Sequence, residues 1–190
     1  MKKFLKVLLI IVCAVLVLGI GFILTLQIFE YRPADVTDLT VDNEPADTSE
    51  YYPSLGTEIK ILTFNTGYAS LSATEDFAMD GGTKGRMDSE EEVEDNIQGI
   101  STILTEAAAD IYLLQEVDVD SDRSYNTLQY AEYEDLLPTY SSSLGYNYRC
   151  IFVPFPFKIG QMMGSVNSGI VSFSRFYVDD ATRYQLPGSF

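Results

Sequence analysis

Glu58-Ile59-Lys60-Ile61-Leu62-Thr63-Phe64-Asn65 and Asp110-Ile111-Tyr112-Leu113-Leu114-Gln115-Glu116 decide the fold of this chain. Each is a short apolar run that closes on a polar side chain, and a segment of helical period lies between them. Strand, helix and strand of these lengths predict a right-handed parallel crossover. Asn65 and Glu116 then emerge together at the carboxyl edge of one sheet, where open α/β sheets place their ligands. An amide oxygen beside a carboxylate is an oxygen-rich corner suited to a hard divalent cation such as Mg2+.

The first run, 59–64, is apolar at nearly every position, the pattern of a strand covered on both faces. A loop with Gly81, Gly82 and Gly85 follows. Ser89-Glu90-Glu91-Glu92 then fits a capping box, with Ser at the N-cap. The helix it opens carries Val93, Ile97, Ile100, Leu104 and Ala107 on one face. After Glu116 the loop 117–125 holds Asp118, Asp120, Asp122 and Arg123. A second, weaker helix is expected over 126–137, ended by Pro138. Strands are expected at 146–153 and 168–174, with a short one at 182–186. Pro154-Phe155-Pro156-Phe157 is too proline-rich for a central strand. Phe155 and Phe157 are read as a buried aromatic pair, in preference to a substrate lip or a membrane-touching loop.

Composition narrows the chemistry. The 190 residues include no His, which excludes a Ser-His-Asp triad and any imidazole acid-base step. Trp is also absent, and the net charge is −16. Lys2, Lys3 and Lys6 precede a long apolar run, so 9 basic residues face 28 acidic ones in the remainder. Such a surface argues against broad adhesion to DNA, RNA or anionic lipid. Cys13 and Cys150 outline no disulfide framework.

Val7 to Phe29 carries no charge and is long enough to span about 30 Å of hydrocarbon as a helix. With lysines before it and Glu30 after it, the amino terminus is expected in the cytoplasm and the rest outside. The run exceeds the apolar core of a signal peptide and lacks a good cleavage site, so residues 1–29 are read as an uncleaved anchor. Residues 30–57 are rich in Asp, Glu, Thr, Pro and Ser and are expected to form a disordered, solvated tether. A folded α/β domain is expected over 58–190.

Three blocks in that domain carry a family resemblance: Ile-Leu-Thr-Phe-Asn at 61–65, Tyr-Leu-Leu-Gln-Glu at 112–116 and Asn-Ser-Gly-Ile-Val-Ser-Phe-Ser-Arg at 167–175. In order and spacing they resemble the endonuclease/exonuclease/phosphatase superfamily, the DNase I-like fold. The resemblance implies a two-sheet α/β sandwich and a phosphoester hydrolase that uses Mg2+ or a similar divalent cation such as Mn2+. It implies that Glu116 binds the metal and that Asn65 supports it. Asn167 becomes a candidate contact to a substrate phosphate, against simply beginning a strand. Arg123 is a further candidate for that role, with pairing to Asp120 or Asp122 the preferred reading. The family pattern goes on to Asn-Thr-His, Gly-Asp-Phe-Asn and Ser-Asp-His blocks that this sequence does not contain. The chain is therefore expected to be the amino-terminal half of the fold, with an uncovered sheet face, and not to turn over substrate by itself. The alternative is a non-catalytic surface domain, or a decayed gene product, that keeps the scaffold. The substrate, whether nucleic acid, inositol phosphate or phospholipid head group, is not fixed by these blocks.

Overall fold

A computed structural model of the chain describes residues 2–42, 52–72 and 76–187. It is a mixed α/β structure with an amino-terminal apolar helix and two sheets. Helix α1, Lys2–Ile28, buries none of its residues, and its most apolar window has a mean hydropathy of 3.3. It is long and apolar enough to cross a membrane.

The larger sheet has the order β2-β3-β5-β4, built from β2 (Ile61–Asn65), β3 (Ile111–Asp118), β4 (Ser141–Val153) and β5 (Gly164–Ser174). β2 and β3 are parallel, with Asn65 opposite Gln115, and α2 (Glu90–Ala107) is the crossover between them. α2 starts where the capping pattern placed it: Ser89 Oγ accepts the Glu92 N–H at 3.2 Å. Its apolar stripe of Val93, Ile97, Ile100 and Leu104 is buried against Tyr112, Leu114, Val171 and Phe173 of the sheet. The second helix, α3, is Gln129–Leu136, shorter than the expected 126–137.

Three expectations are corrected. β2 is covered on one face only: Leu62 and Phe64 pack on the core, while Ile61 is 58% exposed and Thr63 and Asn65 face outward. The reason is that α2 lies on a single side of the sheet. Second, part of the segment read as a disordered tether is structured. Val36–Leu39 forms β1, which pairs antiparallel with β6 (Ala181–Tyr184) as the smaller sheet. Asp42 bridges to Ser142 of β4 through two backbone hydrogen bonds of 2.8 and 2.9 Å. Third, Phe155 and Phe157 form an edge-to-face pair with centroids 6.5 Å apart, but they are not buried; Phe157 is 84% exposed.

Candidate functional site

Both ends of the parallel pair are polar, but they are built differently, and the difference defines the site. Just before β3, Asp110 is fully engaged. Its Oδ2 accepts the Lys60 N–H at 2.7 Å and its Oδ1 lies 2.8 Å from the Arg175 guanidinium. Strained backbone gathers around the carboxyl end, against Ala108 alone, at a φ of 41°, beside the amino end among the described residues. Tyr68, Ala69, Glu116, Asp120, Tyr125 and Asn126 all take a positive φ without being glycine. Each such residue costs on the order of 1–2 kcal/mol, and strain of this kind gathers at functional sites.

Glu116 owes its position to a bulge. Strict alternation would put it on the face of Tyr112 and Leu114, inside the core. The pairing with β5 slips between Leu114 and Val117, so Val117 takes the core position. Glu116, at a φ of 58°, lines the cleft instead. Thr66 holds the bulge from β2: its N–H and hydroxyl donate to the Gln115 carbonyl at 2.9 and 3.1 Å, and its hydroxyl also donates to the Glu116 carbonyl at 2.9 Å. Asn65 closes the turn beside it, its Oδ1 accepting the Gly67 N–H at 2.9 Å. Gly67 has a φ of +57°, and a Cβ there would lie 3.0 Å from Leu71.

Asn65 and Glu116 line one cleft of about 620 Å3, together with Asp80 and Asn96. The other two candidates lie elsewhere. Asn167 lines a separate cleft with Asp120 and Arg149, and it ties β5 to the neighbouring loop. Its Nδ2 donates to the Asp120 carbonyl at 3.1 Å and its Oδ1 accepts from Arg149 at 3.2 Å. Arg123 is buried and pairs with neither Asp120 nor Asp122. It donates two bonds, of 2.8 and 2.7 Å, to the fully buried Asp118. Asp122 is already committed to the start of β5, where its Oδ2 accepts the Ser165 N–H at 2.7 Å. The Arg123 guanidinium also stacks on Tyr68, 3.4 Å from the ring centroid.

Tyr68 thus connects the buried pair with the cleft. Burial pushes its hydroxyl up from the ordinary tyrosine range, the Arg123 charge opposes this, and the Glu116 charge adds to the rise. For Arg123, burial pulls downward, but the hydrogen bonds and charge of Asp118 outweigh it and the guanidinium ends above its usual value. Gln129 locks the same corner: its Oε1 accepts the Asp118 N–H and its Nε2 donates to the Tyr68 carbonyl.

The donor set of the cleft can be matched to a cation. Among the described residues, no three acidic, Cys or His side chains gather into a cage. A carboxylate or two with an amide oxygen suits Mg2+, which keeps several waters and is held by one or two carboxylates plus substrate phosphates. Glu116 and Asp80 are the two carboxylates that line the cleft, and the Asn65 oxygen already accepts a backbone N–H. Thr66, Tyr68, Asp80 and Asn96 carry no motif that sequence reading detects. The Gly67-Tyr68 turn directly after a strand is the one local signal that marks this corner.

Compared with protein-family models, with curated proteins and with solved structures, the chain finds no match.

Proposed function

We propose that this chain is the amino-terminal part of a membrane-anchored, extracytoplasmic, metal-dependent phosphoester hydrolase of the DNase I-like kind. One observation carries the reading: Asn65 and Glu116 line the same cleft at the carboxyl edge of a parallel strand pair. The order of the three sequence blocks along β2, β3 and β5 supports it. So does the strain held at that edge. The apolar α1, with lysines at its start and Glu30 just beyond its end, supports the anchor and its orientation.

In this reading Glu116 ligates Mg2+ or Mn2+, with Asp80 as the second carboxylate lining the cleft. Asn65 positions the turn that carries the metal-facing backbone. A cation held there would supply polarisation of a phosphoryl oxygen and stabilisation of the charge that develops on it. The bulge, fixed by Thr66, keeps the Glu116 carboxylate out of the core and toward the ligand. Tyr68 and the Arg123–Asp118 pair beneath it hold that corner rigid, as precise sites require.

The test is Mn2+ binding by the full chain in detergent micelles, followed by electron paramagnetic resonance. One site is expected, lost in Glu116→Gln and weakened about 10–100-fold in Asn65→Ala. Mn2+ binding that Glu116→Gln leaves unchanged sinks the reading. The absence of His favours one second reading, a non-catalytic scaffold. It expects no Mn2+ site in the parent chain.

A further inference from the structure

The hairpin joining β4 to β5 projects from the same sheet edge as Glu116, because β5 runs antiparallel to β3 and pairs Ser168 with Asp118. Its residues Ile151-Phe152-Val153-Pro154-Phe155-Pro156-Phe157-Lys158-Ile159 include one charge. Ile151, Phe152 and Phe155 are 45, 37 and 37% exposed; Phe157 is 84% and Ile159 95% exposed. A contiguous exposed apolar surface of this kind marks an interaction site.

Its neighbour in the fold says what covers it. β4 runs beside the carboxyl end of α1, and the polarity of the two elements changes in step. Arg149 lies 5.5 Å from the ring of Tyr31, just beyond the helix, and 4.7 Å from that of Tyr146. Tyrosines with an arginine are the residues of a membrane–water boundary. Three residues further along β4, Phe152 meets Phe22 edge to face, with centroids 6.2 Å apart. Phe22 precedes Ile28, the end of α1, by six residues, or about 9 Å along the helix axis. That depth is within reach of interfacial side chains, which bury about 5–10 Å into the acyl boundary.

The domain has little freedom to stand away. Residues 29–35 alone separate α1 from β1, at most about 25 Å if fully extended. That segment is also held by the fold: the Gln185 N–H donates to the Asp35 carbonyl at 2.7 Å, and Arg183 donates to Ala34 and to the Tyr146 carbonyl.

We propose that the β4–β5 hairpin is a second membrane contact, its Phe155, Phe157 and Ile159 seated in the leaflet from which α1 emerges. Lys158 reaches up to the headgroup phosphates, as long basic side chains do at this depth. The occupant of the patch is thus the lipid bilayer itself. The inference rests on α1 as a membrane helix and does not depend on metal binding at Glu116.

The absence of native Trp makes the test direct. The full chain is reconstituted into phosphatidylcholine vesicles with and without brominated acyl chains, as three single-tryptophan variants. Leu18→Trp reports on α1, Phe157→Trp on the hairpin, and Glu106→Trp on the exposed last turn of α2, beside Ala107 and Lys60 at the opposite edge of the sheet. The expected result is strong quenching and blue-shifted emission for Leu18→Trp and Phe157→Trp, with Glu106→Trp unaffected. Quenching of Leu18→Trp alone overturns the hairpin contact while leaving the anchor intact. Loss of quenching at Leu18→Trp overturns the membrane reading of α1, and the hairpin inference falls with it. Quenching of all three overturns the specific contact in favour of general immersion.

Discussion

β3 starts beside one carboxylate and finishes with two, and the three are used in opposite ways. Asp110 at the start is spent on structure, accepting from Lys60 and facing Arg175. Asp118 at the end is spent still more completely, buried beneath Arg123 and Ser124. Glu116, two residues earlier, lines a cleft from a left-handed backbone. The carboxyl edge combines a rigid, satisfied foundation with one carboxylate set aside at a cost. The amino edge has the first and lacks the second.

The largest expected effect comes from breaking the foundation. Asp118→Ala leaves a buried guanidinium unpaired and is expected to destabilise the fold by about 3–5 kcal/mol, measured by urea unfolding in micelles. A loss below about 1 kcal/mol would show that water replaces Asp118 and that the edge is not rigid. Asp110→Ala at the other end removes an acceptor from the Lys60 N–H and a partner from the half-exposed Arg175. Its expected cost is smaller, about 1–2 kcal/mol.

Glu116→Gly sharpens the contrast by changing the sign. Glycine accepts a φ of 58° freely, so this variant is expected to gain up to about 1 kcal/mol while losing Mn2+ binding. A destabilised Glu116→Gly would mean that the side chain supports the fold. The last effect appears only in alkali. Burial raises the hydroxyls of Tyr133 and Tyr130 above their ordinary value. Stability from keeping them neutral is complete below about pH 10 and is lost as pH rises from there toward the folded-state values. Tyr133→Phe is expected to flatten that alkaline limb of a thermal-unfolding series.

Much of the frame was legible because it follows from periodicity. The α2 stripe, its Ser89 cap and the parallel pairing of β2 with β3 all express patterns of period 3.6 or 2. The single covered face of β2 was not legible, since Ile61 and Leu62 look alike in sequence while only Leu62 meets the core. The joint placement of Asn65 and Glu116 followed from topology, but the bulge that aims Glu116 did not. Alternation alone sends that residue inward, and a one-residue slip leaves no compositional mark. The partner of Arg123 was hidden for a related reason. Asp118, Asp120 and Asp122 are equivalent in a string of acids until Ser165 claims Asp122 and the turn carries Arg123 back over Asp118. The strand in the acidic segment after α1 was masked by its polar surroundings, because β1 gains its order from pairing with the distant β6.

The seven residues between α1 and β1 also have a consequence for mass action. With α1 in a bilayer, the hairpin never searches solution for lipid; it meets the leaflet at the effective concentration of a short tether, in the millimolar range. A patch whose free affinity for lipid is only millimolar, about 4 kcal/mol, is then occupied roughly half the time. Modest changes at Phe157 or Ile159 would therefore change how often the hairpin is seated in the leaflet without detaching the protein.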